Sequence, residues 1–215
     1  MADLLSSLEE ASLSLTTTTD MNERLDIAEW RADTYKQILL ALDNDATYEI
    51  QAHLFALIQI EWLMFWSKEE NRLSQYLIYS VEQNQFYDAD ISSEIESLVK
   101  NQQLFLERFV TLNADQQQVE LLIDTFTNEV FVLSQEFRSF LFNEEALSTL
   151  PEAEVAAGLT SLNGRLALLK NVDNDISNQL KADVGLAITI ANQQRLMLIG
   201  VMPPSTPRLV DTLLS

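Results

Sequence analysis

The sequence predicts an all-α protein: an up-and-down helical bundle of about five or six long helices, with a coiled-coil-like C-terminal helix and short helical arms at both ends. Three observations predict it. Only 4 Gly and 4 Pro occur in 215 residues, every Pro at or beyond Pro151, so most of the chain lacks the residues that punctuate strands and tight turns. Apolar residues recur in alternating steps of three and four over long stretches, which is the period of a helix face. A hydrophobic content of 47% at this length is enough to fill a core.

The elements follow in order. Met1 to Leu15 places Leu4, Leu5, Leu8 and Ala11 on one face, a short amphipathic arm ending at the connector Thr16, Thr17, Thr18, Thr19. Asp20 with Glu23 three residues on makes a capping-box-like start for a helix carrying Met21, Leu25, Ala28, Ala32, Tyr35, Leu39 and Leu42. A long helix runs from about Thr47 to Asn84, apolar nearly all round between Phe55 and Trp66, which suits the centre of a bundle. Asp88 and Asp90 open the next, with Ile91, Ile95, Leu98, Phe105, Phe109 and Leu112 in register as far as Asn113. From Ala114 to Phe142 heptad spacing through Val119, Leu122, Phe126, Val130, Leu133, Phe137 and Phe140 predicts one further helix, and Asn143 to Leu150 a loop. Thr149 is expected to cap the last long helix, with Pro151 in its first turn.

That last helix carries Val155, Leu159, Leu162, Leu166 and Leu169, then Asp173 on the apolar seam, then Ile176, Leu180, Val184 and Ile188 in steps of four. A slip of this kind is what a stutter does to a coiled coil, so a break at Asp173 is allowed for. Gly200 is expected to end it, and Pro203 and Pro204 lead to a final short helix showing Leu209, Val210, Leu213 and Leu214. The expected organisation is therefore an arm and Thr linker over 1–19, an acidic bundle over 20–149, a long heptad-patterned helix over 150–202, and a Pro-rich linker with a docking helix over 203–215.

Charge excludes several function classes. The net −20 is concentrated in residues 1–150, with 27 acidic against 8 basic residues, while residues 151–215 carry 6 against 5. Such a field repels nucleic-acid backbones and anionic lipid, so direct nucleic-acid binding is not expected. The richest apolar stretches contain Gln59 and Glu61, or Asn192 to Arg195, so no membrane span is expected. Asp3, Glu9 and Glu10 stand where a secretion signal has a basic start and an apolar run. The expected location is the cytoplasm, or a virion assembled there.

Candidate chemistry is thin. With no cysteine there is no thiolate nucleophile or Cys-based metal site. His53 is the only histidine, one turn after Glu49, and the Glu-x-x-His pairs of di-iron bundles are missing, so it reads as a packed or surface residue. Asp43, Asn44, Asp45, then Asp88, Asp90, then Asp173, Asn174, Asp175 lack the Gly and Glu of a calcium loop and read as caps or solvated groups. The pairs Glu69/Glu70, Glu94/Glu96 and Glu144/Glu145 read as solvated faces. Trp62 and Trp66, one turn apart, read as core packing, with a small-molecule or lipid pocket beside them as a weaker possibility.

The expectation is a non-enzymatic structural or assembly component of a larger complex, such as a virion, tail or secretion machine, with no cofactor, no metal and no catalytic residue. Its partners are expected to be copies of itself or other protein subunits, in a homo- or hetero-oligomer. The residues expected to meet them are Leu159, Leu162, Leu166, Leu169, Asp173, Ile176 and Leu180 on the long helix, and Leu209, Val210, Leu213 and Leu214 on the terminal one. The competing expectation is an acidic inhibitor or nucleic-acid-mimicking decoy that binds a basic protein.

Overall fold

The computed structural model describes residues 8, 10, 11, 13–15, 17–42, 48–84, 86–113 and 115–201. The described part of the N-terminal arm is helical from Leu8 to Thr17, and Leu8 is buried against Leu54, Tyr35 and Leu180. Beyond it lie α1 (Met21–Leu42), α2 (Tyr48–Asn84) and α3 (Ala89–Arg108), the last continued by a π-turn (Phe109–Asn113). Then come α4 (Gln116–Thr127), α5 (Glu129–Leu141), the short α6 (Glu144–Ser148) and α7 (Glu152–Val201). The fold is all-α, with no strand among the described residues.

Helix starts are set by short polar side chains that accept otherwise unpaired N–H groups. Asp20 accepts from Glu23 N at 2.9 Å, Asp88 from Asp90 N and Ile91 N, and Asp115 from Gln118 N at 2.8 Å. α2 is unbroken over 37 residues because its middle, including Ala56, Ile60 and Leu63, is buried on several sides.

Four departures from the sequence reading have local causes. The heptad stretch 114–142 is two helices, because Asn128 takes an extended conformation (φ −63°, ψ 138°) and closes α4 while its side chain caps α5. This single residue shifts the phase, so Phe131, Ser134, Phe137 and Leu141 face the core and Leu133 is 47% exposed. The expected loop 143–150 contains α6, capped by Asn143. Thr149 serves the end of α6, its hydroxyl donating to Glu145 O at 2.8 Å, and Pro151 O accepts from Glu154 N and Val155 N to open α7. Finally, α7 is continuous through Asp173 and reaches Val201, one residue past Gly200.

α2 and α3 form an antiparallel hairpin, the α4–α5 pair returns alongside, and α7 runs back against α2, so neighbours alternate in direction. One apolar cluster joins Ile60, Phe109, Leu122, Phe131, Leu169 and Ile176; another, toward the far end of α2, joins Leu77, Ile95, Leu141, Leu147 and Leu162. α1 packs antiparallel on the outside of α2. No helix among the described residues is long and apolar enough to cross a membrane.

Candidate functional site

Between the two apolar clusters the bundle encloses charge. Glu70 of α2 is fully buried and accepts from three chain segments at once. Arg138 of α5 donates to both its oxygens, Nε at 2.7 Å and Nη2 at 2.8 Å. Arg165 of α7, itself fully buried, donates at 2.7 Å, and Gln102 of α3 donates at 2.7 Å. Ser67 donates to Gln102, and Asn71 donates to the Leu162 carbonyl at 3.0 Å. Burial works to raise the Glu70 carboxyl, but Arg165 and Arg138 outweigh it and hold it below the usual carboxylate range. α3, α5 and α7 thus each send one side chain to one carboxylate of α2, which ties the relative register of these four helices.

A second charged zone lies where α1 and α7 meet α2. Arg24 pairs with the fully buried Glu69, which also accepts from Arg72 at 3.1 Å. Arg31 meets Glu61 at 2.5 Å, Tyr35 donates to the same oxygen at 3.2 Å, and Lys170 pairs with Asp173. Burial pushes the Glu61 carboxyl up to about 7 against the pull of Arg31, and Lys68 is lowered by burial and by Arg31, Lys170 and Arg24. These groups line a cleft of about 270 Å³ in which each carboxylate already has a cationic partner. Glu69 and Glu70 are therefore interior partners of arginines, not a solvated face, which corrects the sequence reading.

His53 is buried, with Nδ1 2.7 Å from Asp183 and Nε2 3.3 Å from Asp115. Its two nitrogens point to opposite sides of the ring, toward α7 and toward the cap of α4, so it staples two elements. Glu49 is exposed and not among its partners. Among the described residues no three potential metal ligands come together.

Trp62 stacks on Trp66 (centroids 5.8 Å) and on Phe105 (5.5 Å), and the space beside it is about 20 Å³, room for a water and nothing larger. That space, on the α1 side of Trp62, is too small for a ligand.

The seam expected to meet a partner is largely covered by this chain. Leu162, Leu169, Asp173 and Ile176 are buried, and Leu159, Leu166 and Leu180 partly so, against α2, α4 and α5. A repeat of apolar positions was correctly seen, but the helices of the same bundle occupy it. Leu209, Val210, Leu213 and Leu214 lie outside the described residues. Further along, among the described residues, Leu186 is 61%, Ile188 57% and Ile190 45% exposed. Val184 and Ile188 were noted in the sequence as the end of the seam, but their exposure depends on where α2 begins, which periodicity does not give.

At the opposite pole the ends of α2 and α6 and the start of α7 enclose an open groove of about 620 Å³. Glu82, Gln83, Glu144, Ser148 and Glu152 line it with the partly buried Val81, Tyr87 and Leu150, over the buried side chains of Ile78, Leu147 and Val155. Phe86, next to the groove-lining Tyr87, is 62% exposed. No family model, curated protein or solved structure matches the chain.

Proposed function

We propose that this chain is a non-enzymatic structural or assembly component of a larger protein complex, of the kind that builds a virion, tail or secretion machine, acting through helix–helix contacts. The observation that supports this reading is the stretch of α7 beyond Asp183, whose described side chains Leu186, Ile188 and Ile190 are exposed. From Asp183 to Arg195 it runs about 18 Å at 1.5 Å per residue. Leu186 and Ile190 lie one turn apart on one face, and Ile188 lies about 200° of rotation from Leu186, near the opposite face. A helix that is apolar on opposite faces belongs among other helices rather than in water. The buried ionisable groups support the same reading, since Glu69, Glu70, Arg165 and His53 are engaged with one another's helices and hold the body rigid.

Its partners are further copies of itself or other subunits. The acidic-decoy reading draws support from the charge of residues 1–150, but exposed carboxylates occur on every outer helix, including Glu29, Glu94, Glu120, Glu136 and Glu154, rather than on one face. A decoy needs its charge gathered opposite one basic site.

The test is absolute mass by light scattering at low and high salt, for the full chain and for a chain ending at Asp183. A salt-resistant oligomer of the 24.4 kDa chain that the shortened version does not form is the expected result. A monomer in every condition removes self-assembly and leaves the acidic binder.

A further inference from the structure

We infer that the cleft between α1, α2 and α7 is a binding site for a small phosphate monoester that carries a hydroxyl group. The inference goes beyond the assembly reading and does not depend on it. Three observations carry it.

The first is a local reversal of charge. The whole chain holds 33 acidic and 13 basic residues. This cleft is lined by four of the basic ones, Arg24, Arg31, Lys68 and Lys170, against three carboxylates, Glu61, Glu69 and Asp173. Each carboxylate is paired: Glu69 with Arg24 and Arg72, Glu61 with Arg31, Asp173 with Lys170. Lys68 is left over, with no carboxylate partner among the described residues. Burial, then Arg31, Lys170 and Arg24, hold its ammonium below the usual range against the weaker pull of Asp173, as happens where like charges meet with no anion between them. Glu61, pushed up to about 7 by burial, carries less than a full charge near neutrality, which tilts the balance further toward the cations.

The second is unspent hydrogen bonding. Arg31 gives Nη2 to Glu61, but its buried Nε has no acceptor among the described residues. Asp173, 4% exposed, accepts from Lys170 on Oδ2, while its buried Oδ1 has no donor among them. Buried polar atoms left unpaired cost stability, so a cleft walled by a spare donor and a spare acceptor suits a ligand that offers both. A phosphate group accepts from the guanidinium fork of Arg31 and from the ammonium of Lys68, and a hydroxyl on the same molecule donates to Asp173.

The third is size and lining. The cleft holds about 270 Å³, the volume of roughly nine waters. That takes a phosphate with a chain of a few carbons and is too small for a nucleotide. Leu15 of the N-terminal arm with Met64 and Phe65 of α2 gives the carbon chain an apolar wall. A ligand seated there touches the arm, α1, α2 and α7 together, so it stabilises their packing by mass action.

The test is isothermal titration calorimetry and thermal unfolding of the full chain with glycerol 3-phosphate, inorganic phosphate, ethyl phosphate, and sodium chloride at matched ionic strength. Glycerol 3-phosphate is expected to bind saturably, one per chain, and to raise Tm, while chloride does neither. Lys68→Met removes the spare charge and breaks no ion pair, and is expected to weaken binding by about 10–100-fold. Lys100→Met, the same change on the exposed side of α3, is expected to leave it unaltered. Ethyl phosphate, which lacks the hydroxyl, is expected to bind about tenfold or more weakly than glycerol 3-phosphate, with inorganic phosphate between them. Circular dichroism without ligand confirms that both variants keep their helices.

Absence of saturable binding overturns the site, as does binding that Lys68→Met and Lys100→Met weaken alike. Equal binding of ethyl phosphate and glycerol 3-phosphate overturns the pairing of a hydroxyl with Asp173. None of these results depends on whether the chain is a monomer or an oligomer, so the site and the assembly reading fail separately.

Discussion

Glu70→Gln keeps the size and shape of the side chain and removes its charge, and the structure gives the consequence. Arg165, fully buried, and Arg138, largely buried, then share no counter-charge, and the amide nitrogen faces either the Arg138 Nε donor at one oxygen position or three donors, from Arg138, Arg165 and Gln102, at the other. Leaving buried charge uncompensated costs about 3–5 kcal/mol. For a domain of this size 1 kcal/mol moves Tm by about 2–4 °C, so the expected fall is roughly 6–20 °C. Arg165→Met is expected to cost less, because Glu70 keeps its two bonds from Arg138. The double variant is expected to cost less than the sum of the singles, with a coupling of about 0.5–3 kcal/mol. Urea unfolding followed by circular dichroism measures all three. The pH dependence has a definite sign. Because the folded carboxyl is held below its unfolded value of about 4.3, the stabilisation is complete above that pH and is lost as pH falls through the folded value. The gap between wild type and Glu70→Gln therefore narrows in acid. A loss below about 1 kcal/mol for Glu70→Gln at neutral pH, within the range of exposed ion pairs, refutes the central role given to this carboxylate.

Further tests use the same assay. Glu61, raised by burial to about 7, holds its proton to higher pH when folded than when unfolded, so it subtracts stability as pH rises from about 4.3 and levels off above 7. The Tm of Glu61→Gln relative to wild type is expected to rise from pH 5 to pH 8; a flat difference contradicts the assignment. Gly158→Ala and Gly185→Ala, the same change on one helix, are expected to differ in sign. A methyl at 158 lies 2.0 Å from the Phe137 ring and costs about 1–3 kcal/mol, whereas one at 185 meets nothing within 4 Å and gains about 0.8–1 kcal/mol of helix propensity. Asn128→Ala removes the cap of α5 and is expected to cost about 0.5–2 kcal/mol, with no change in helical content large enough to see by circular dichroism.

The sequence by itself determined the helical class, the position of most helix starts and the identity of most apolar faces. Asp20, Asp88 and the stripe Ile91, Ile95, Leu98 depend only on residues within a few turns, and local hydrogen bonding and a period of 3.6 are local facts. The break at Asn128 was not legible because an Asn in a heptad pattern serves equally as a surface residue or as a cap between two helices. The charge network was not legible: Glu69 and Glu70 read as a solvated pair, and nothing local names Arg138 or Arg165, 68 and 95 residues from Glu70. Nor does the seam from Leu159 to Leu180 say what covers it. Only the tertiary structure decided that α2, α4 and α5 take that stretch and leave Leu186, Ile188 and Ile190 bare, because a period specifies which side of a helix avoids water while the neighbour that satisfies it is set by how all the helices pack together.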